Sequence, residues 1–187
     1  DIWYSSTTKK IRGAKAGAGA WATGNNLNTA KFDTGTGGTQ TAAIAASGSS
    51  PPFTATVETY DGSSWTEVAD VNTPRSACGS AGTQTAALIF GGRNPPNLAL
   101  CEKWNGTSWT EVGDMNTAKG YISATGTTTA AIAIGGEPTP RDQVELYDGS
   151  TWTETTELNT ARGQGAAFGT QNDAAAFGGE PPANLAI

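Results

Sequence analysis

Four tryptophans set the frame. Trp21, Trp65, Trp109 and Trp152 lie 44, 44 and 43 residues apart, and other signals keep step with them. After each comes "LNTAK" (27–31), "VNTPR" (71–75), "MNTAK" (115–119) or "LNTAR" (158–162). Next come "GTQTAAIAASG" (38–48), "GTQTAALIFGG" (82–92), "GTTTAAIAIGG" (126–136) and "GTQNDAAAFGG" (169–179). Then follow a proline-rich loop and "VETYDGSSW" (57–65), "CEKWNGTSW" (101–109) or "VELYDGSTW" (144–152). Several motifs returning together at one period require a stack of one supersecondary unit, because each unit alone cannot bury its apolar face.

Each unit reads as four short strands. A small, glycine-rich run such as "SACGSAG" (76–82) suits a crowded centre. The run "AALIF" (86–90) is continuously apolar, as in a strand buried on both faces. Two glycines end it, and prolines, which cannot donate to a ladder, hold the loop beyond. The third strand ends in Asp-Gly or Asn-Gly, a strong hairpin signal, and Trp opens the fourth. The expected fold is all-β: a four-bladed β-propeller of four-stranded antiparallel blades with a period of about 44 residues. Residues 1–20 read as an N-terminal strand or hairpin segment that closes a blade or pairs between subunits, and 21–187 as the repeats. The fourth unit stops at the start of its third strand. Blade four is therefore expected to take two strands from Gly163–Gly179, its outer strand from Ala20–Asn25, and its third from Lys9–Lys15. An incomplete arc that closes by assembly is the alternative.

The Gly-Gly after an apolar strand, followed by an aromatic residue and then a Trp, resembles the kelch repeat over about Trp21 to Ile187. The first copy departs from it with Ser47-Gly48. The opening "DIWYSSTTKKIRG" resembles a β-hairpin module of phage tail-fibre and related virion proteins. The repeats resemble those of marine phages and uncultured marine microbes. The resemblance implies a non-enzymatic structural or host-facing protein on an extracellular or virion surface.

The chain contains no His, which removes the commonest general base and most zinc or copper ligand sets. No cofactor and no metal site are expected. The copper oxidases among kelch-like propellers need the missing His. A sialidase-like enzyme would need an acid–base pair beside a basic cluster, and the acids show no such grouping. Asp61, Asn105 and Asp148 sit in "DGS", "NGT" and "DGS" turns without calcium-loop spacing. A net charge of −6 argues against nucleic acid as a partner. No run approaches the roughly 20 apolar residues of a membrane helix. Cys78 and Cys101 read as small core residues.

Lys31, Arg75, Lys119 and Arg162 recur once per repeat and suggest a basic ring at a channel mouth, an anion or sugar-acid site. Because all four copies carry a base, strand-end bonding to loop carbonyls is favoured. Asn28, Asn72, Asn116 and Asn159 are expected to fix turns with their own backbone. The Trp set could stack on sugars, but packing between sheets is favoured. The copy-specific loops after Gly-Gly are the expected binding or assembly surface, with Phe53, Arg93, Leu98, Leu100, Arg141, Leu185 and Ile187. Ile2, Trp3 and Tyr4 form an apolar edge strand that seals blade four in cis or adds to a neighbour in trans. The expected partner is the chain itself, as a homo-oligomer or filament. A surface glycan or a virion protein is the alternative partner.

Overall fold

The alternation of short apolar runs and turn residues gives strands throughout a computed structural model that describes residues 24–181 and the backbone of two N-terminal strands. Those two are β1 (Ile2–Ser5) and β2 (Lys10–Gly13). The first repeat forms β3 (Gly35–Thr39), β4 (Ala42–Ser49), β5 (Phe53–Tyr60) and β6 (Trp65–Val68). The second forms β7 (Gly79–Thr83), β8 (Ala86–Phe90), β9 (Cys101–Trp104) and β10 (Trp109–Val112). The third forms β11 (Ser123–Thr127), β12 (Ala130–Ile134), β13 (Val144–Tyr147) and β14 (Trp152–Glu154). The fourth forms β15 (Gly163–Gly169) and β16 (Ala174–Glu180). No helix occurs among the described residues.

The first three repeats are open four-stranded antiparallel meanders, and the fourth is a two-stranded sheet. The turn chemistry is as the sequence indicates. Asp61 Oδ1 accepts the amides of Ser63 (2.8 Å) and Ser64 (2.7 Å). Asn105 and Asp148 repeat this arrangement, joining the third strand to the fourth.

One face of each sheet packs on the opposite face of the next. Ile44, Ala46, Val57 and Val71 meet Ile89, Trp104 and Trp109 of the second repeat. Leu88, Phe90, Cys101 and Met115 meet Ile122, Tyr147 and Trp152 of the third. Ile132, Ile134 and Val144 meet only alanines of the fourth: Ala167, Ala174 and Ala176. The tryptophans thus fill the space between sheets, with Phe90 and Trp152 ring centroids 4.6 Å apart. Both cysteines are free and buried, and burial pushes the Cys78 thiol up to about 11 and the Cys101 thiol up to about 12.

Two backbone relays tie the repeats together. In the first, Ala77 N–H donates to Asp33 O (2.8 Å), Tyr121 N–H to Ala77 O (2.7 Å), and Gln164 N–H to Tyr121 O (3.0 Å). All four of these residues are left-handed, with φ of 53°, 52°, 54° and 60°. In the second, Gly48 N–H donates to Arg75 O (2.8 Å), Gly92 to Lys119 O (2.7 Å) and Gly136 to Arg162 O (3.1 Å). Here the Gly-Gly motif finds its reason. Gly91 lies so close to the next repeat that a Cβ would stand 2.6 Å from the Lys119 carbonyl oxygen. Ser47, the departure from Gly-Gly, keeps the left-handed angle (φ 58°), and its hydroxyl bonds to Arg75 O (2.7 Å).

Two expectations change. Lys10–Gly13 does not serve the fourth sheet; it pairs with Ile2–Ser5 in a separate hairpin. Pairing with a near neighbour in sequence closes a far shorter loop than pairing with the end of the chain. The relays, moreover, trace an open series: no backbone hydrogen bond among the described residues joins the first repeat to the fourth. Of the expected outer strand Ala20–Asn25, residues 20–23 lie outside the described residues, and Gly24 and Asn25 are not in a strand. Asn25 bonds to Ser63 O (2.6 Å) and accepts the Trp65 indole N–H (3.1 Å), so it lies against the first repeat.

Candidate functional site

The recurring base of each repeat is the first candidate. Arg75 is fully buried. Its guanidinium donates to Gly91 O (3.2 Å), Leu100 O (2.6 Å) and Thr73 O (3.1 Å). It also pairs with Glu102 at 2.5 Å. Lys31 pairs with Glu58 at 3.4 Å, both side chains being fully buried, and donates to Thr56 O (2.9 Å). Lys119, also buried, donates to Pro140 O. Arg162 alone is only half-buried; it donates to Gly178 O (2.9 Å).

Each acid is held from a second side. Glu102 accepts the amides of Asn72 (2.7 Å) and Thr73 (3.2 Å). Glu58 accepts those of Asn28 and Thr29, and Glu145 those of Asn116 and Thr117. Burial works to raise the Glu58 pKa, but those two amides and Lys31 outweigh it and hold the carboxyl below its usual range. Burial in turn lowers Lys31 and Lys119 below the usual lysine value. The asparagine side chains do not cap their own turns. Asn28, Asn72 and Asn116 donate instead to the carbonyls of Trp65, Trp109 and Trp152 on the following sheet. The "NT-x-K/R" motif and the Glu of the third strand are one structural device. The Glu is the partner that sequence reasoning missed, although it follows the Asn of the motif by 30, 30 and 29 residues in the three repeats.

A polar cleft is the second candidate. The first strands of successive repeats lie side by side, β3 on β7, β7 on β11, and β11 on β15. They enclose a cavity of about 280 Å³ lined by small residues, among them Thr36, Ser80, Ala81, Ala124, Thr125 and Ala167. Thr36 and Ser80 bond to each other across it, and Thr125 Oγ1 donates to Gly169 O (2.8 Å). None of the four bases lines this space; Lys31 and Arg75 reach to the third-strand carboxylates instead, and Arg162 to Gly178 O. The cleft offers hydroxyl and peptide groups but no charged side chain to a ligand.

The expected loop residues are scattered. Arg93 is exposed, bonds to the Tyr121 hydroxyl (3.0 Å) and lies over its ring at 5.3 Å. Arg141 pairs with Glu137 at 3.1 Å. Leu98 and Leu100 are half-buried, and their carbonyls accept Lys119 N–H and Gly91 N–H. Phe53 is half-buried beside Ser49 on the neighbouring strand. Ile2, Trp3 and Tyr4 are placed as β1 backbone only, and Leu185 and Ile187 lie outside the described residues.

The exposed apolar surface is elsewhere. Phe168 is 62% exposed and Phe177 53%, their rings 5.9 Å apart on the fourth sheet, and Phe32 is 58% exposed at the start of the first. Phe168 occupies the repeat position of Gly37, Ala81 and Thr125, and Phe32 that of Ser76, Gly120 and Gly163. Aromatic residues replacing small ones in the two terminal copies were a signal available in the sequence. No protein-family model and no curated protein matches the chain.

Proposed function

We propose that the chain is a non-enzymatic structural or adhesion protein of an extracellular or virion surface, a propeller-like array of four blades that assembles with itself. One observation carries this reading. The fourth sheet presents Phe168 and Phe177 to solvent on the face that the preceding sheets bury against a neighbour. Exposed apolar patches of this kind mark interaction surfaces. The groups that would have suggested chemistry are committed to the fold. Arg75 and Lys31 are paired with carboxylates, and Trp104, Trp109 and Trp152 are buried between sheets rather than free to stack on a sugar. The resemblance to virion and marine phage repeat proteins supports the same setting.

The test is electron microscopy of the purified protein across a range of concentrations, with and without residues 1–8. Filaments or regular oligomers that grow with concentration support the reading. Uniform single particles at every concentration overturn self-assembly and direct attention to glycan binding, measured on a glycan array.

A further inference from the structure

We propose that the fourth sheet's outer face takes the first repeat of a second copy, through the same contacts that join consecutive repeats within the chain. The inference rests on the self-assembly reading above and names its surface.

Every internal junction uses one set of groups. The second glycine of one repeat donates its amide to the carbonyl of the next repeat's base. The left-handed residue two positions beyond that base donates back to its predecessor's carbonyl. Gly48–Arg75 with Ala77–Asp33, Gly92–Lys119 with Tyr121–Ala77, and Gly136–Arg162 with Gln164–Tyr121 are three examples. At the end of the series Gly179 and Gln164 stand where the glycine and the carbonyl should be. At its start Lys31 and Asp33 hold the complementary carbonyl and amide in the same backbone conformation, φ 53° at Asp33. Among the described residues these two ends do not bond to each other. Each has what the other lacks.

The side chains agree with the backbone. Phe177 aligns with Phe90, whose ring packs 4.6 Å from Trp152. The counterpart of Trp152 in the first repeat is Trp65, half-buried and flanked by Tyr60 at 5.0 Å, as Trp152 is flanked by Tyr147. Phe90 is fully buried by its neighbour and Phe177 is not. A second copy's Trp65 and Tyr60 complete that contact. Such a junction is heterologous, so repeating it gives a ring of copies or a filament.

The experiment has two arms on the full chain. In the first, sedimentation velocity follows association with concentration for the native protein and for Phe177→Asp, with circular dichroism as the check on folding. Loss of a central aromatic anchor should weaken association by roughly thirtyfold or more. In the second, the separately made variants Trp65→Cys and Phe177→Cys are mixed and oxidised, each alone serving as its control, and the double variant is oxidised when dilute. A covalent dimer in the mixture only is the expected result. Native protein that stays monomeric overturns both this interface and self-assembly. Association that Phe177→Asp leaves unchanged overturns the interface alone. A cross-link within single copies of the double variant overturns the second copy as occupant, showing that the chain's own first repeat closes the ring.

Discussion

Removing the Glu102 carboxylate tests the central energetic claim, that the repeated base and acid form a buried clamp between the handover loop and the third strand. Glu102→Ala strips three donors of their acceptor at once: Arg75 Nη2 at 2.5 Å, Asn72 N at 2.7 Å and Thr73 N at 3.2 Å. Arg75 stays fully buried with its charge unpaired. Breaking a buried pair from one side costs about 3–5 kcal/mol. Arg75 keeps its bonds to three carbonyls, which favours the lower part of that range. The two stranded amides add to it, each of order 1 kcal/mol. The expected loss is about 4 kcal/mol, a large share of the 5–15 kcal/mol that holds a typical domain. Urea unfolding followed by tryptophan fluorescence reads it as a lower midpoint at constant slope. The double variant Arg75→Met/Glu102→Met should cost less than the two single changes together, by about 2 kcal/mol, because neither partner is then left charged and alone. If each single variant loses less than about 1 kcal/mol, as exposed pairs do, the buried-clamp argument is wrong.

Other perturbations have equally definite outcomes. Arg162→Ala, at the half-buried fourth base with no carboxylate pair among the described residues, should cost under about 1 kcal/mol in the same assay. Asp61 is held down to about 2 by its bonds to Ser64 and Ser63, so its contribution is present above the ordinary value of 3.8 and lost as pH falls toward 2. Asp61→Ala should accordingly lower the melting temperature at pH 7 and have little effect at pH 2. Cys78 and Cys101, buried and raised in pKa, should resist a thiol reagent in the native protein and react once urea unfolds it. At the left-handed Gln164, φ 60°, substitution by Gly should be neutral or stabilising, whereas Val should destabilise by about 1–2 kcal/mol.

Strand order was legible because repetition averages over ambiguity. "AALIF" alone is a short apolar run that also suits a buried helix, but the same run before Gly-Gly in successive repeats, each followed by an Asx-Gly turn, leaves only the meander seen in β7–β10. What stayed hidden was pairing across the period. The amides of Asn72 and Thr73 meet Glu102 some 30 residues on, in the next sheet, and no local rule of turns or caps points that far. The favoured reading of Arg75, bonding to loop carbonyls at a strand end, anticipated Gly91 O and Leu100 O but not the carboxylate beside them. A base recurring in register implies a shared environment, and only the position of the third strand shows that for Lys31 and Arg75 this environment includes a carboxylate.

Repetition also separates residues that serve the fold from residues that serve its ends. A position whose occupant is the same in every copy has the same neighbours in every copy, so it reports the junction between repeats. Among the described residues the first and fourth copies each have one neighbour fewer, and a residue there that departs from the pattern answers to something else. Phe168 departs, standing where Gly37, Ala81 and Thr125 stand, while Phe177 conforms to the place of Phe90. The two rings lie together on one face, 5.9 Å apart. A conforming residue keeps the junction's standard contact available. The departing one enlarges the apolar patch around it, where a Ser or Thr would have weakened it. A sheet face meant to remain open to solvent would carry polar residues at both positions, as capping repeats do. The fourth sheet carries the opposite chemistry, which on the self-assembly proposal makes its outer face a place to look, beside the variable proline loops, for what this protein binds.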